Sequence, residues 1–575
     1  MTRLFNDPDD FAEEMIEGFV AASSRWVHRV SGGVVRSTRG PEPTVAVVIG
    51  GGSGHYPAFG GLVGPGLAHG AAMGNLFASP SAHQVHSVVA AAHEGRGVLL
   101  SFGNYAGDVL HFGQAQERLR GEGVDCRTVL VTDDVWSAPK DELDKRRGIA
   151  GDLVVFKVAG AAAEEGLDLD DVERVARLAN ARTRSFGVAF SGCTLPGSDE
   201  PLFEVPPGRM AVGLGIHGEP GIDEVDIPTA AGLAGMLVDK LLDELPDGVS
   251  VPGARVVPIL NGLGSVKYEE MFVVYSGIHR LLGDAGAVVV SPEVGEFCTS
   301  FDMAGLSLTL LWLDDELERL WLAPCDTPAY RRGAVEGRRE VSADEIADDD
   351  EAQEIGAAGD ASRRAAGALA RALEGVAVAL DEAADELGRM DRIAGDGDHG
   401  IGMQRGSRAA AESARSAADA GAGARTALQR AGDAWADTGG GTSGAIWGEM
   451  LAALGAILGD EDEVTAAAVG DGVVAMKDAV MTFGKAQPGD KTMVDAMVPF
   501  ADELTTRLGA GDPLRAAWAS AAQAATAAAQ ATAEMTARVG RARAHGEKSV
   551  GTPDPGAVSF ALVTRTVLEN LKEED

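Results

Sequence analysis

The first half of the chain alternates short apolar runs with stretches of helical periodicity. Apolar runs that are rich in β-branched residues and bounded by turn residues are typical of strands buried on both faces, and their alternation with helices is typical of parallel sheets. We therefore predict that residues 1–330 form two packed α/β units, at about 1–185 and 186–330. The predicted strands are Thr44–Gly50, Gly97–Ser101, Thr128–Thr132 and Leu153–Val158 in the first unit, and Arg209–His217, Arg255–Leu260, Ala287–Ser291 and Leu306–Leu313 in the second. Helices are predicted between them, for example at Pro228–Leu245 and Glu269–Leu282.

From about residue 361 onwards, strand patterns almost disappear and alanine-rich helical patterns take their place. About eight such segments joined by glycine-rich loops predict an all-α domain over residues 361–575. The predicted helices are Ala361–Leu387, Arg408–Asp419, Arg425–Asp437, Gly444–Leu458, Val464–Thr482, Met493–Leu508, Pro513–Thr536 and Pro555–Leu571.

The segment between these domains, residues 331–360, differs from both. Its central part, Ser342–Glu354, contains seven acidic residues and little that a core would bury. This composition predicts an exposed linker. A charged surface helix is the alternative interpretation, because helix-forming residues are common there.

The chain is strongly acidic, with a net charge of −38 over 575 residues. Nucleic acids and anionic membranes bind to basic surfaces, so both are disfavoured as partners. A protein this acidic that binds a polyphosphate must bring cations to the site, which makes a metal requirement a reasonable expectation. The four cysteines form no CxxC pair, the N-terminus has no apolar segment, and no apolar run approaches the ~18 residues of a membrane span. We therefore expect a cytoplasmic protein.

Three aspartates, Asp391, Asp396 and Asp398, lie among glycines within Met390–Met403. Carboxylates this close repel one another unless a cation neutralises them, and Mg²⁺ is usually shared between carboxylates and phosphates. The segment therefore predicts a Mg²⁺ site. Two other interpretations are an acidic turn without a ligand and a Ca²⁺ loop of the EF-hand type. The Ca²⁺ loop is disfavoured because Gly402 stands where the loop's last glutamate would be.

A glycine-rich segment, Thr438–Gly444, precedes a predicted helix at Ala445–Leu458. Such a loop offers backbone N–H groups and the positive end of a helix dipole to phosphate, and Thr442 and Ser443 add hydroxyl donors. A third loop, Gly546–Ala557, contains Lys548, which could meet phosphate charge, although a lone loop lysine is more often only solvated.

Histidines and an aspartate follow predicted strands in the first domain. Ligands of open α/β sheets bind beyond the carboxyl ends of the strands, where His55 and Asp108 are expected to face one pocket. Together they can bind sugar hydroxyls and move a proton. His217, flanked by glycines, could be a general base, a metal ligand, a nucleophile or merely a surface residue.

These segments, taken together, resemble the dihydroxyacetone kinase family in its single-chain form, which has a K-type and an L-type domain. The resemblance covers nearly the whole chain. On the K side it rests on GGGSGH at 50–55, FASPS at 77–81, NYAGD at 104–108, RRGIAGD at 146–152, KVAGAAAE at 157–164 and GIHGEPG at 215–221. On the L side it rests on GDGDHG at 395–400, GGTSG at 440–444, GDKTMVDAM at 489–497 and DPGA at 554–557.

The resemblance implies an ATP-dependent kinase that acts on a short-chain ketose. His217 would hold the substrate as a covalent hemiaminal on its carbonyl carbon, which selects ketones and aldehydes over polyols, and His55 and Asp108 would handle the hydroxyls and the transferred proton. Further substrate contacts are implied at Gly52, Ser53 and Gly54. The three aspartates would hold two Mg²⁺ ions that bridge the ATP phosphates. The implied ATP-binding residues are His399, Gly440, Gly441, Thr442, Ser443, Lys548, Asp554 and Gly556.

Family members are commonly homodimers in which one chain's L-type domain often serves the other chain's K-type domain. This sequence departs from the family pattern at Tyr56 and Phe59, next to the substrate loop, and at Gly540–Ser549, where Lys548 replaces the usual arginine. The first pair makes a four-carbon ketose such as erythrulose as plausible a substrate as dihydroxyacetone. Two alternatives are a ketose-sensing regulatory protein without ATP turnover and a cyclase acting on a flavin nucleotide.

Overall fold

The computed structural model describes residues 4–213, 223–333, 355–393, 395, 397–439, 441–539 and 547–571. The chain divides into two compact units, Met1–Glu340 and Val341–Asp575. The first is an α/β unit with two large sheets, and the second is a helical unit. The predicted fold class, two α/β units followed by an all-α domain, is confirmed. The acidic linker predicted at 331–360 falls mostly outside the described residues.

Six strands form the first sheet: β1 (Val27–Val30), β2 (Gly33–Arg36), β3 (Ala46–Ser53), β4 (Gly70–Leu76), β5 (Val98–Gly103) and β6 (Cys126–Val131). Their spatial order is β1-β2-β4-β3-β5-β6. β3 is parallel to β4 and β5, and β5 is parallel to β6, whereas β2 is antiparallel to both of its neighbours. Three of the four strands predicted in this region are thus confirmed as β3, β5 and β6.

Five helices accompany this sheet: α1 (Phe11–Ala22), α2 (Ala82–Ala92), α3 (Ala106–Gly121), α4 (Gly151–Glu164) and α5 (Leu169–Ala181). Side chains of α2 and α3 pack against one face of the sheet, and those of α4 and α5 pack against the other. Every residue of β3 and β5 is buried between these layers, as expected for central parallel strands.

One edge of this sheet is β6, which has no strand on its free side among the described residues. Two of its carbonyl oxygens accept hydrogen bonds from arginine side chains instead. Arg120 Nε donates to the Cys126 carbonyl at 2.9 Å, and Arg177 Nη2 donates to the Thr128 carbonyl at 3.1 Å. These contacts satisfy backbone acceptors that a neighbouring strand would otherwise satisfy.

The strand predicted at Leu153–Val158 is wrong, because these residues belong to helix α4. Every residue from Gly151 to Ala163 is buried. A helix that is apolar all round shows no 3.6-residue alternation, and a short apolar run then reads equally well as a strand. The strand β4 (GAAMGNL) was not predicted, because it is composed mainly of small residues with little strand preference.

Seven strands form the second sheet: β7 (Thr183–Ala189), β8 (Arg209–Val212), β9 (Asp223–Asp226), β10 (Arg255–Gly262), β11 (Val288–Val289), β12 (Glu293–Gly295) and β13 (Gly305–Trp312). The order is β11-β10-β13-β7-β8-β9, and β12 also pairs with β10. β13 is antiparallel to both β10 and β7, so this sheet is mixed rather than parallel. Helices α6 (Ala230–Leu242) and α7 (Tyr268–Asp284) pack on it, and α8 (Asp315–Leu322) and the hairpin β14–β15 (Cys325–Asp326, Arg331–Arg332) complete the unit.

The helical unit contains eight α-helices among its described residues, in agreement with the prediction. They are α9 (Asp360–Asp391), α10 (His399–Asp419), α11 (Ala424–Gly439), α12 (Gly441–Leu458), α13 (Ala466–Gly484), α14 (Val494–Gly509), α15 (Leu514–Ala531) and α16 (Pro555–Asn570). Each helix packs against the next along the chain, and α16 packs against α9, so the helices close into a ring. In the core, the rings of Trp435 and Trp447 stack with centroids 4.8 Å apart.

Of the helices described, only α12 is long and apolar enough to cross a membrane by length and composition. This helix is one of the eight that form the ring, and it packs between α11 and α13.

The close approach of α4 to the chain before β4 gives a stability prediction. A Cβ added at Gly160 would lie 2.0 Å from the Leu67 carbonyl oxygen, so Gly160→Ala must displace backbone. We expect this variant to lose roughly 1–3 kcal/mol of unfolding free energy, measured by urea denaturation.

The matched control is Gly235→Ala in α6, where an added Cβ meets nothing within 4 Å. This variant should gain roughly 0.5–1 kcal/mol, because alanine loses less conformational entropy than glycine on folding. Equal effects of the two substitutions would contradict the assigned packing.

Candidate active site

The loop after β3 buries a histidine at the carboxyl end of the first sheet. Gly54 has φ +102°, and a Cβ there would overlap the Phe77 ring. This turn places His55, which is 1% exposed, face to face with Phe77, the ring centroids being 4.8 Å apart. Its Nδ1 lies 2.8 Å from the Thr299 carbonyl oxygen. Since a carbonyl only accepts, Nδ1 carries the proton, and Nε2 of the neutral ring is left as the basic nitrogen.

Asp108 lies at the same edge of the sheet, in the first turn of α3, which directly follows β5. β5 is the parallel neighbour of β3, so the two strands end side by side. Asp108 is 5% exposed, and its Oδ1 has no hydrogen-bond partner among the described residues. Burial raises the pKa of Asp108 to about 6, while a hydrogen bond with Ser79 opposes the rise. A carboxyl with a pKa near the working pH can both take and return a proton.

The glycine-rich end of β3 brings the backbone close to its neighbours. A Cβ at Gly52 would lie 2.7 Å from the backbone nitrogen of Ala78. The Ser53 hydroxyl donates to the Gly74 carbonyl at 2.6 Å and so ties β3 to β4. Ser53 is therefore engaged within the protein through its side chain, and its backbone remains the part that a ligand could contact.

Phe59 forms the wall beside His55. It is one of the two residues next to the substrate loop, with Tyr56, at which the sequence departs from the family pattern. Its ring stands edge-on to His55, with centroids 6.5 Å apart, and a Cβ on Gly51 would overlap it. Phe59 is buried, whereas Tyr56 is half exposed and packs edge-on against Phe19. Of the two departures, Phe59 therefore bears more directly on the shape of the pocket.

His217 lies outside the described residues, as does the rest of segment 214–222. The described ends of this segment are held together, because Val212 and Asp223 pair across β8 and β9. Gly213, with φ +77°, lies directly against Trp136. The role predicted for His217 stays a prediction.

A cavity of about 460 Å³ opens in the helical unit where four helices begin. It is lined at the N-termini of α10, α12, α14 and α16, by residues that include His399, Gly441, Val494 and Pro555. The first N–H groups of a helix have no partner within the helix, and its N-terminus carries a partial positive charge. Four such ends around one cavity favour an anionic ligand such as a phosphate chain.

The glycine-rich loop predicted at Thr438–Gly444 is shorter than expected. α11 continues to Gly439 and α12 begins at Gly441, so Thr442 and Ser443 belong to the first turn of a helix. Both still line the cavity. Their position is the one at which backbone N–H groups point outward from the helix end. Gly440 lies outside the described residues.

Two of the three predicted metal ligands, Asp391 and Asp398, line this cavity. Asp391 Oδ2 accepts hydrogen bonds from the backbone N–H groups of Gly397 at 2.8 Å and His399 at 3.4 Å, which folds the loop back onto the end of α9. Asp396 lies outside the described residues, and the described ones contain no group of three potential ligands close enough to hold a metal ion. Hard carboxylate oxygens beside phosphate-binding helix ends nevertheless suit Mg²⁺.

His399 joins three of the converging helices. Its Nε2 lies 3.1 Å from the Ser559 hydroxyl on α16, and its Nδ1 lies 3.4 Å from the Ser443 hydroxyl on α12. Burial lowers the pKa of His399, and the charge of Asp391 acts in the opposite direction. The imidazole thus links the helix ends, besides lining the cavity.

The lysine that lines the cavity is Lys491, which was not predicted as a site residue. Its ammonium group donates to the carbonyl oxygens of Ser549, of Thr552 at 2.8 Å and of Met535 at 3.1 Å. Lys548, the predicted one, is exposed and is not among the lining residues. The signal for Lys491 was present in the GDKTMVDAM segment, where a lysine stands between turn residues and a helix start.

Asp554 and Gly556 lie at the start of α16 and line the same cavity. Asp554 caps the helix by accepting the Ala557 N–H at 2.8 Å. Burial raises the pKa of Asp554 to about 7, and the cap bond opposes the rise.

The two units are of the kind expected of a phosphotransferase. In the α/β unit a buried histidine and a buried aspartate follow neighbouring parallel strands, and the helical ring has a cavity lined by helix N-termini and aspartates. Two family models match these units: the Dak1 domain over residues 17–329 and the DAK2 domain over residues 393–569. The chain belongs to the dihydroxyacetone kinase family.

Known relatives align over nearly the whole chain. A protein of Pectobacterium atrosepticum named L-erythrulose kinase is 59% identical, over 99% of this chain and 96% of its own length. One of Mycolicibacterium smegmatis named D-erythrulose kinase is 55% identical, over 99% and 98%. The crystal structure of the dihydroxyacetone kinase from C. freundii in complex with AMP-PNP and Mg²⁺ superposes with a TM-score of 0.61 at 29% identity, over 99% of this chain and 100% of that one.

The raised pKa of Asp108 gives a prediction about stability. The folded protein holds this proton up to about pH 6, whereas an unfolded aspartate releases it near pH 3.9. The group therefore favours the folded state at low pH, and this contribution is lost as the pH rises from about 4 to above 6. Asp108→Asn removes the effect, so the variant should gain roughly 2 kcal/mol relative to the wild type between pH 4.5 and pH 8.

Urea denaturation of both proteins across this pH range measures the difference. Asp239→Asn, at an exposed position in α6, is the control and should show no such trend. A constant offset between Asp108→Asn and the wild type at every pH would count against the buried, protonated carboxyl.

Proposed function

We propose that this protein is an ATP-dependent kinase that phosphorylates a short-chain ketose, with erythrulose as the first candidate and dihydroxyacetone as the second. The observation that carries the proposal is the convergence of four helix N-termini and two aspartates on one cavity, in a chain that matches erythrulose kinases over nearly its full length. Phosphoryl transfer depends mainly on positioning and charge neutralisation, and this cavity has the groups for both.

The α/β unit is proposed to hold the ketose. His217 would add through one ring nitrogen to the carbonyl carbon. The proton of its other ring nitrogen would be released and the carbonyl oxygen would take up a proton, so that a neutral hemiaminal forms without a leaving group. His55 and Asp108 are the described groups at the same edge of the sheet that can bind hydroxyls. Asp108, with a pKa of about 6, is the better candidate for accepting the hydroxyl proton as the phosphoryl group arrives.

The helical unit is proposed to hold the nucleotide. The N–H groups at Gly441, Thr442 and Ser443 and at the start of α16 would bind phosphate oxygens. Asp391, Asp396 and Asp398 would hold Mg²⁺, which neutralises phosphate charge when it is bound. Lys491 would add a fixed positive charge to the wall of the cavity, although its three carbonyl partners give it a structural role as well.

The cellular location, the oligomeric state, the partners and the acceptor hydroxyl are also part of the proposal. We expect a cytoplasmic homodimer whose partners are the ketose and ATP, without binding to nucleic acid or membranes. The phosphate acceptor would be a primary hydroxyl next to the captured carbonyl. Glycerol has primary hydroxyls but no carbonyl that could be captured. Glycerol should therefore not be phosphorylated.

The first test follows ADP release from Mg-ATP in the presence of dihydroxyacetone, glyceraldehyde, D-erythrulose, L-erythrulose or glycerol. Turnover with at least one ketose and none with glycerol is expected, and His217→Ala should abolish it while ATP binding persists. ATP binding without turnover of any acceptor would instead favour a ketose-sensing protein.

A second prediction addresses the metal site. Asp398→Asn should lower Mg-ATP-dependent turnover by more than about 100-fold, because even the loss of a group that only supports a metal ligand typically costs 10–100-fold. Binding of the ketose to the other unit should remain unchanged, as measured by calorimetry without nucleotide. Asp385→Asn, at an exposed position in α9, is the matched control; wild-type turnover in Asp398→Asn would refute the metal assignment.

A further inference from the structure

A second cavity, of about 670 Å³, lies in the α/β unit, apart from the proposed ketose pocket. Its walls come from α3, from β6, from the end of α5, and from the connections that contain Asp144 and Asp247. Val109, the residue after Asp108, lines this cavity, whereas His55 and Asp108 do not. The volume is typical of small-molecule sites, and no step of the proposed reaction uses this cavity.

Three arginines line it: Arg177, Arg182 and Arg184. Arg177 is already paired, since its Nη2 lies 2.6 Å from Glu173. The Arg182 guanidinium, in contrast, makes no ion pair or hydrogen bond within the part of the chain that the structure describes.

Arg184 is more deeply placed, being only 5% exposed. Its Nη1 donates to the carbonyl oxygens of Thr183 at 2.7 Å and Ala181 at 3.1 Å. Its Nε is buried and has no hydrogen-bond partner among the described residues. Nor does Arg184 form an ion pair with any described carboxylate.

Burying a guanidinium away from water is unfavourable unless a counter-charge and hydrogen-bond acceptors are supplied. Burial lowers the pKa of Arg184, the charge of Arg146 adds to this effect, and the carboxylates of Glu244, Asp133 and Asp247 oppose it. An anion held between Arg182 and Arg184 would provide both the missing charge and the missing acceptors. The planar guanidinium matches the oxygens of a phosphate group well.

Other lining groups narrow the class of anion. Asp144 and Asp247 also line the cavity, and their charges disfavour a polyanion such as ATP. They can, however, accept hydrogen bonds from hydroxyl groups.

The cavity also has a wall of neutral polar side chains. It consists of two hydrogen-bonded pairs, Gln116 with Thr128 at 2.6 Å and Asn180 with Thr132 at 2.9 Å.

We propose that this cavity binds a small phosphomonoester that carries hydroxyl groups, with Arg182 and Arg184 as the ligands of its phosphate. This binding would be additional to the proposed kinase function and does not depend on it. Through this site, a phosphorylated metabolite of the same chemical class as the kinase product could regulate the enzyme. Two short connections reach the ketose pocket. Val109 adjoins Asp108 in α3, and the Asp144 carbonyl accepts a hydrogen bond at 2.9 Å from Asn104, in the loop between β5 and α3.

The test uses glycerol 3-phosphate, a hydroxyl-bearing phosphomonoester, titrated calorimetrically into the full-length protein without Mg²⁺ or nucleotide. We expect binding that Arg182→Gln weakens by about tenfold or more, since a charge-assisted hydrogen bond is lost. Arg184→Met should weaken it further. Arg174→Gln is the matched control, because Arg174 lies in α5, the helix that ends directly before Arg182, pairs with Glu316 at 2.8 Å and does not line the cavity.

Glycerol should not bind, which separates recognition of the phosphate from recognition of the hydroxyls. Saturating dihydroxyacetone should not displace the probe, because its proposed pocket is a different one. Absence of glycerol 3-phosphate binding, or binding unchanged in Arg182→Gln, would overturn the proposal. Arg182 is partly exposed, so a melting temperature equal to that of the wild type verifies that this variant is folded. None of these measurements requires turnover, so the proposal can fail while the kinase function stands.

Discussion

The alternation of helix direction around a closed ring brings four helix N-termini of this protein to one cavity. Successive helices run in opposite directions, so α10, α12, α14 and α16 all begin at one cavity, and α9, α11 and α13 end there. That end therefore presents backbone N–H groups and carbonyl groups in turn around a single cavity. The N–H groups suit anions, while the carbonyls and the nearby aspartates suit cations such as the Lys491 ammonium or Mg²⁺. A chain with a net charge of −38 in this way gathers backbone N–H groups and partial positive charge at one cavity.

The α/β unit places two buried polar side chains, His55 and Asp108, at the same edge of a sheet. Because β3 and β5 are parallel neighbours, the residues that follow them emerge at the same edge of the sheet. The same burial that raises the pKa of Asp108 also fixes the orientation of His55, through the Phe77 ring and the Thr299 carbonyl. Rigid placement and an altered proton affinity thus come from the same packing.

The sequence predicted the parts of this structure whose signals are local. Helical periodicity located all eight helices of the ring, and β-branched runs located the central strands β3 and β5. It misassigned Leu153–Val158, where α4 is buried on every side and periodicity carries no information. Lys491 was missed because what brings it to the cavity is a set of contacts with carbonyls more than forty residues away along the chain. The lysine itself stands in the GDKTMVDAM segment. Contacts of that kind depend on the folded topology, however, so the segment alone does not place Lys491 at the cavity.

The arginine contacts along β6 have a consequence for how the protein behaves at high concentration. An edge strand with free carbonyl groups is a template on which a strand of another molecule can add. Arg120 and Arg177 occupy two of these carbonyls from the side of the sheet's free edge. Their long side chains also place bulk and charge where an incoming backbone would have to lie. At the β6 edge, two backbone acceptors that an intermolecular strand would use are thereby already occupied.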